Sequence, residues 1–132
     1  MFLSRVLMKV VAASLIIILA ALVLYSLPQE KIASFFSYPN PFDSRKQSAK
    51  IYYYLNTNSH VSMKIYDAFG MLVKEYSFNE GTGSGSKGWN KVIWDGENEN
   101  GDKVGKGGYI CYLETESGGQ LSKSYHKIGV IH

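Results

Sequence analysis

A glycine-rich stretch is the first candidate for chemistry, because Gly83-Ser84-Gly85-Ser86-Lys87-Gly88 has the spacing of a phosphate-binding G-x-G-x-x-G motif. In that motif a strand precedes the glycines and a helix follows them, so that the helix N-terminus meets the phosphates. Here Trp89 and the strand-like residues Val92-Ile93-Trp94 follow instead. The stretch is therefore predicted to be a flexible hairpin loop, and no nucleotide site is expected.

An acidic stretch, Asp95-Gly96-Glu97-Asn98-Glu99-Asn100-Gly101-Asp102, is rich in oxygen atoms of the kind that bind calcium. A calcium loop needs Asp or Asn at its third and fifth positions and glycine at its sixth. This stretch has glutamates at those two positions, and its glycine comes one place late. We therefore predict an Asn-Gly turn with solvated acids and no metal site.

Groups for acid–base or nucleophilic catalysis do not form a recognisable pattern. The histidines His60, His126 and His132 lack the spacing of metal ligands, and the sequence has no Gly-x-Ser-x-Gly segment for a nucleophilic serine. Glu114 and Glu116 share one face of a predicted strand beside a turn, where a solvated edge is a better interpretation than an acid–base pair. The sequence therefore predicts no catalytic residue, no cofactor and no enzyme activity.

Aromatic residues are the remaining candidates, since 16 of the 18 follow Pro28. Four tyrosines are predicted on outward faces, where they would form an interaction surface for a protein or a glycan: Tyr52, Tyr54, Tyr66 and Tyr112. The favoured alternative is cross-strand aromatic pairing that stiffens the sheet, with each pair contributing about 0.2–1 kcal/mol.

Strands must position these residues, because the sequence after Pro28 alternates short apolar runs with turn-forming residues. No window of 11 or more residues there has the 3.6-residue period of a helix. The runs cover residues 50–55, 60–66, 71–78, 91–94, 108–115 and 121–131. We predict an all-β, immunoglobulin-like sandwich of two sheets and about seven antiparallel strands, preceded by one N-terminal hydrophobic helix.

Alternating polarity predicts which residues of the strands face the core. The expected inward residues are Ile51, Tyr53 and Leu55 in one strand and Val61, Met63 and Ile65 in the next. Neither register is clean in residues 71–78, which a β-bulge would explain. Cys111, the only cysteine, is predicted to be a small buried hydrophobic residue.

The N-terminus carries an uncharged apolar stretch of 18 residues, Val10 to Leu27, bounded by Lys9 and Pro28. At about 1.5 Å of rise per residue, a helix of this stretch covers about 27 Å, close to the roughly 30 Å of a bilayer core. A membrane is therefore the partner expected for residues 1–28.

An uncleaved signal anchor is favoured over a cleaved signal peptide in residues 1–28. Cleavage after Ser26 would require a small residue where the bulky Leu24 stands. Both alternatives place the rest of the chain outside the cytoplasm. Residues 29–37 are predicted to be a spacer, and residues 38–132 one immunoglobulin-like domain.

The net positive charge is also concentrated in the N-terminal segment, residues 1–28. Arg5 and Lys9 supply two of the three net positive charges, while residues 29–132 hold 12 basic and 11 acidic residues. A nucleic-acid-binding domain needs basic side chains concentrated on one face, which a nearly neutral domain does not favour. No nucleic-acid partner is expected, and a protein partner outside the cytoplasm is.

A series of landmarks runs through the predicted domain: Pro39-Asn40-Pro41-Phe42, then Tyr66-Asp67 with Gly70, then Trp94-Asp95-Gly96, then Gly101 and Tyr109. In this order, the residues from Tyr38 to Ile131 resemble the immunoglobulin-like domain shared by flagellar hook-capping proteins and the C-terminal sorting domains of type IX secretion cargo. The resemblance implies a seven-stranded sandwich that acts in recognition or assembly outside the cytoplasm, without catalysis.

The function expected from the sequence is thus a non-catalytic, extracytoplasmic β-sandwich module for protein binding or assembly, tethered to a membrane. Two alternatives remain open. One is a type IX sorting-type domain that a translocation apparatus reads, and the other is a glycan-binding module.

Overall fold

The computed structural model describes residues 2–26 and 32–132. Its first element is α1, a helix of 25 residues from Phe2 to Ser26. The helix contains an apolar span, Phe2–Tyr25, with a mean hydropathy of 2.8 and no part buried in the protein. At about 1.5 Å per residue, α1 is about 37 Å long, which suffices to cross a bilayer core. The predicted end of the anchor, Leu27 and Pro28, lies outside the described residues, as do residues 29–31.

Seven strands follow, and they pair antiparallel in two sheets. Sheet A has three strands in the order β1-β2-β5, and sheet B has four in the order β4-β3-β6-β7. Their bounds are β1 Ile32–Tyr38, β2 Ala49–Leu55, β3 His60–Tyr66, β4 Leu72–Phe78, β5 Gly88–Trp94, β6 Gly107–Ser117 and β7 Gln120–Val130. The predicted two-sheet β-sandwich with an N-terminal helix is confirmed.

Strand β1 corrects the predicted spacer at residues 29–37. The chain from Ile32 onward is an edge strand of sheet A, paired with β2 up to Tyr38 opposite Lys50. The spacer prediction is wrong for residues 32–37, because two adjacent phenylalanines hide the two-residue period of the strand. Phe35 packs against the core, whereas Phe36 points to solvent.

Alternate residues of the strands fill the space between the two sheets. The six inward residues predicted on β2 and β3 are all fully buried: Ile51, Tyr53, Leu55, Val61, Met63 and Ile65. Cys111 on β6 is also buried, as predicted, and burial raises the pKa of its thiol to about 12. The thiol is therefore neutral at physiological pH and packs as a small apolar side chain.

Strand β4 contains the irregularity that its sequence suggests. Ile65 lies opposite Lys74 and Tyr66 lies opposite Leu72, so Val73 is the extra residue of a bulge. Val73 is buried in the core, although Tyr76 and Phe78, which also pack against the core, have the opposite phase in β4. The ambiguous phase of residues 71–78 therefore reflects a real break in alternation.

The glycine-rich stretch is not the predicted hairpin loop, because it connects β4 of sheet B to β5 of sheet A. Within it, Gly83–Gly85 form one 3-10 turn. The hydroxyl of the core residue Tyr53 donates to the carbonyl oxygen of Ser84 at 2.7 Å. A Cβ on the buried Gly85 would collide with the carbonyl oxygens of Asn79 and Ser59, so the connection is packed against the sandwich.

Candidate functional site

The outer face of sheet A carries two of the four predicted surface tyrosines. Residues that pair across β1, β2 and β5 share this face, because directly opposite residues point the same way. Nine side chains form a three-by-three array there: Ser34, Tyr54 and Trp89, then Phe36, Tyr52 and Lys91, then Tyr38, Lys50 and Ile93. We call these nine residues the aromatic face, and Tyr52 is at its centre.

Four rings of the aromatic face contact one another. Tyr52 stacks on Phe36, with ring centroids 5.3 Å apart and planes 21° apart. Trp89 meets Tyr54 edge-on at 5.4 Å and Phe36 edge-on at 6.0 Å. Such pairs contribute about 0.5–1.5 kcal/mol beyond their buried area, so the cluster is held in one arrangement. The cross-strand aromatic pairing expected from the sequence is present here.

The aromatic face nevertheless stays open to solvent. Its exposed large side chains, with their exposed fractions, are Tyr38 at 70%, Trp89 at 61%, Ile93 at 52% and Phe36 at 43%. Lys50 and Lys91 are the only charged members of the array, and neither forms an ion pair with another described residue. The face therefore combines exposed rings with positive charge and contains no acid.

The sequence predicts Tyr52 and Tyr54 on this face but not Phe36 or Trp89. Phe36 falls in the segment predicted to be a spacer, and Trp89 falls at the end of the glycine-rich stretch. A signal for Trp89 did exist, because it precedes Lys91 and Ile93 in the same outward phase of β5. Extending that alternation by one period identifies it.

Tyr66 and Tyr112, the other two predicted surface tyrosines, lie on the outer face of sheet B. Tyr112 is flanked there by Lys64 of β3 and Tyr125 of β7. Tyr66 is half-buried opposite Ile110. The structure therefore divides the predicted tyrosine surface between two opposite faces of the sandwich.

Tyr66 borders a groove of about 550 Å³ at one end of sheet B. The lining also includes Gly70, Gly108, Ile110 and Lys127. A Cβ on Gly108 would meet nothing within 4 Å, so this position leaves the groove open. Beside the groove, the β3–β4 turn and the start of β4 expose three apolar side chains: Phe69 at 92%, Met71 at 66% and Leu72 at 49%. The name apolar groove is used below for this groove together with Phe69, Met71 and Leu72 beside it.

The motif Pro39-Asn40-Pro41-Phe42 closes the domain. The side-chain oxygen of Asn40 accepts a hydrogen bond from the backbone N–H of Gly129 at 2.9 Å, and its NH₂ group donates to the carbonyl of Lys127 at 2.8 Å. The N–H of Phe42 donates to the carbonyl of Gly129, and its carbonyl accepts from the N–H of Ile131. The motif thus covers the free edge of β7 at its C-terminal end.

Phe42 carries this closure into the core. Its buried ring lies 5.6 Å from that of Trp94, which lies 5.4 Å from that of Tyr109. The indole N–H of Trp94 donates to the carbonyl of Glu97 at 2.9 Å. Gly96 has a φ of 79°, and a Cβ there would lie 2.6 Å from the Cβ of Ser44. Packing therefore explains these landmark positions.

The remaining landmarks shape turns. One carboxylate oxygen of Asp67 accepts from the N–H groups of Phe69 and Met71, both at 2.9 Å. Gly70 has a φ of 81° and Gly101 a φ of 82°, values that favour glycine. The Asp95 carboxylate accepts from the N–H of Glu97 at 3.2 Å.

The acidic stretch after β5 directs its oxygen atoms to the protein's own groups. The side-chain oxygen of Asn98 accepts from the N–H groups of Asn100 and Asp102, and Glu97 forms an ion pair with Lys103 at 3.4 Å. Glu99 accepts from the N–H of Glu75 at 2.6 Å. Within residues 2–26 and 32–132, no three His, Cys, Asp or Glu side chains are grouped to hold a metal ion.

His126 links the two sheets. Its Nε2 lies 2.9 Å from the hydroxyl oxygen of Ser37 on β1 and 3.3 Å from the amide nitrogen of Asn40. That amide nitrogen is a donor, because the oxygen of the same side chain accepts from Gly129. Nε2 therefore accepts and the ring is neutral, consistent with the burial that lowers the pKa of His126.

Among known families, the FlgD Ig-like domain matches residues 40–119 of the chain. The fold is similar to that of FlgD from P. aeruginosa, with 20% sequence identity and a TM-score of 0.55 over 67% of this chain and 64% of that one. No curated protein sequence matches the chain.

Two proteins of Porphyromonas gingivalis share the fold as well. PorU, solved as a latent dimer, is 24% identical with a TM-score of 0.59, over 74% of this chain and 9% of PorU. PorZ, an essential bacterial surface component of the type IX secretion system, is 20% identical with a TM-score of 0.52, over 75% of this chain and 12% of PorZ. The chain thus spans less than two thirds of FlgD and about a tenth of the other two.

Proposed function

Because the chain belongs to the family of FlgD Ig-like domains, we propose that it is a non-catalytic module that binds protein outside the cytoplasm. We further propose that α1 tethers it to a membrane. The coarser description, a β-sandwich module of this family, is given by the fold and the family match.

The tether is supported by the length and composition of α1. The span Phe2–Tyr25 is unburied and has a mean hydropathy of 2.8. Its two basic residues, Arg5 and Lys9, lie in the first half of the helix, which favours a cytoplasmic N-terminus. The surface location given for PorZ is consistent with a domain outside the cytoplasm.

Protein binding is supported chiefly by the apolar groove. Its volume of about 550 Å³ is within the range of roughly 300–1,000 Å³ found for pockets that hold a ligand. Phe69 is 92% exposed, although burying a phenylalanine side chain contributes about 1.5–3 kcal/mol. Exposed apolar side chains beside a concave surface are typical of contact sites for another protein.

A photo-crosslinking residue in place of Phe69 tests the groove in cells that produce the full chain. We expect a crosslinked protein adduct that disappears when Gly108→Val fills the groove. A Cβ at Gly108 meets no neighbour within 4 Å, so we expect this variant to fold, which circular dichroism checks. The control places the crosslinker at Leu121, which is 59% exposed on β7. An adduct equally strong from both positions, or unchanged by Gly108→Val, would contradict the proposal.

Fractionation tests the tether independently. The full-length chain is expected in the membrane fraction after alkaline extraction. A soluble product that begins beyond Ser26 would instead indicate a cleaved signal peptide and favour the sorting-type alternative.

A further inference from the structure

The aromatic face has the composition of a protein surface that lies in the headgroup region of a bilayer. Tryptophan and tyrosine concentrate in that region, because their rings are apolar and their polar atoms reach water. Lysine heads extend from the same region towards phosphate groups. The array contains Trp89, Tyr38, Tyr52 and Tyr54 together with two lysines and no acid.

Connectivity keeps this face close to the membrane that would hold α1. Ser26 ends the helix and Ile32 begins β1, so only six Cα–Cα steps separate them. A fully extended chain covers at most about 3.3–3.6 Å per step, which limits the separation of these two residues to about 20 Å. Phe36 and Tyr38 follow in β1 itself. Because α1 would already hold the aromatic face beside that membrane, contact between the two would occur at high effective concentration.

The two unpaired lysines favour a membrane over a second copy of the chain as the partner that covers the aromatic face. Two aromatic faces pressed together would bring Lys50 and Lys91 of both copies into one interface without an acid to pair with them. A like-charge contact of this kind is costly once water is excluded. A surface of anionic headgroups instead supplies the missing partners.

We propose that the aromatic face rests in the headgroup layer of the membrane that anchors α1, with Trp89 and Phe36 among the lipid tails' upper segments and Lys50 and Lys91 at anionic phosphates. This inference depends on the proposed tether. It makes the sandwich lie flat on the bilayer through sheet A, so that sheet B and its apolar groove face away from the membrane.

Tryptophan fluorescence tests the contact, because Trp89 is exposed whereas Trp94 is fully buried. The full chain is reconstituted into vesicles of phosphatidylethanolamine and phosphatidylglycerol, with or without bromine on the acyl chains near the headgroup. We expect brominated lipid to quench the emission of Trp89, and Trp89→Phe to remove that quenching while the emission of Trp94 remains. Acrylamide in the water should in turn quench Trp89 poorly.

The lysines provide a matched pair of double variants. A basic residue at an anionic surface strengthens attachment by about fivefold, so Lys50→Gln with Lys91→Gln should shift the docking equilibrium by about 25-fold and reduce lipid quenching. Lys106→Gln with Lys123→Gln removes the same charge away from the face, since Lys123 pairs with Glu114 in sheet B, and should leave the quenching unchanged. Vesicles of neutral lipid alone should resemble the first double variant.

Vesicle flotation separates failure of the tether from failure of the docked face. If the chain does not float with the vesicles, the tether is wrong and the docked face is overturned with it. If the chain floats but Trp89 is open to acrylamide and unaffected by brominated lipid, the tether stands and the docked face is wrong. If Trp89 is shielded from acrylamide without lipid quenching, a second copy covers the face, and the proposal is likewise overturned.

Discussion

The side-chain oxygen of Asn40 accepts a hydrogen bond from the backbone N–H of Gly129, 89 positions later in the chain, at 2.9 Å. The amide nitrogen of the same side chain donates to the carbonyl of Lys127. Asn40 therefore fills two backbone hydrogen-bonding positions on the edge of β7, in the place where another strand would otherwise pair.

Replacing Asn40 by alanine is expected to lower the free energy of unfolding by about 1–3 kcal/mol, because its two hydrogen bonds to the backbone of β7 contribute about 0.5–1.5 kcal/mol each and its longer contact with His126 is lost as well. Urea unfolding of the detergent-solubilised chain, followed by tryptophan fluorescence, measures the change. Asn100→Ala is the control, since the side chain of Asn100 is exposed in a turn. A loss of the same size in both variants would show that the position of Asn40 is not special.

Gly129 is expected to tolerate no side chain, because a Cβ there would lie 2.9 Å from the Cβ of Pro41. Gly129→Ala should destabilise the domain by about 1–3 kcal/mol, the usual effect of overpacking. At Gly105 a Cβ would meet nothing within 4 Å, so Gly105→Ala should be neutral or slightly stabilising. Thermal unfolding of the two variants side by side measures the difference. Equal melting temperatures would exclude a close contact at Pro41.

Replacing Thr115 is expected to stabilise the domain. Its hydroxyl oxygen is the one buried side-chain polar atom without a hydrogen-bond partner among the described residues. Thr115→Val replaces the hydroxyl by a methyl group of similar shape and removes an unpaired polar group. We expect a gain of about 1 kcal/mol, or about 4–8 °C in melting temperature.

Thr82→Val is the comparison for Thr115, since the hydroxyl of Thr82 donates to the carbonyl of Asn79 at 3.0 Å. This variant should lose stability. If Thr115→Val also lowered the melting temperature, the hydroxyl of Thr115 would have to be paired in solution.

Stability should depend on pH through His126. Burial places the pKa of its ring below the ordinary value of 6.5, so the unfolded chain binds a proton at a higher pH than the folded chain does. The contribution of neutral His126 to the free energy of unfolding is complete above pH 6.5. It is lost as the pH falls through the lower pKa of the folded chain. Urea unfolding at a series of pH values from 7.5 down to 5 measures this decline. His126→Gln should make the curve flatter over the same interval, and an unchanged curve would contradict the assignment.

Local alternation sufficed to predict most of the sandwich. The inward phase of Ile51 and Val61 follows from a two-residue period that one strand reveals by itself. The break in β4 was also visible, although the identity of Val73 as the extra residue was not. β1 was missed because the phenylalanines at positions 35 and 36 point to opposite faces, and only pairing with β2 shows which one is buried.

The candidate surfaces were harder to predict, because they join residues that lie far apart in the sequence. Trp89 reaches Phe36 only through β2, which lies between β5 and β1 in sheet A. Tyr66 and Tyr112 have the same outward alternation as Tyr52 and Tyr54, yet they belong to the other sheet. Periodicity tells inside from outside within a strand, but it does not tell which of the two outer faces a residue occupies.

The closure of residues 40–44 onto the end of β7 means that the domain can complete its fold only when its last residues are present. The N–H of Ser44 donates to the carbonyl of His132, and the pairs of Phe42 with Gly129 and Ile131 need the same late segment. In the export that we propose, the N-terminus stays in the cytoplasm and residues 40–44 would cross the membrane long before residues 129–132. The ring of Phe42 would therefore be locked in place only after the late segment has crossed. Until then the domain would stay incompletely folded, which is the state that a narrow translocation channel requires.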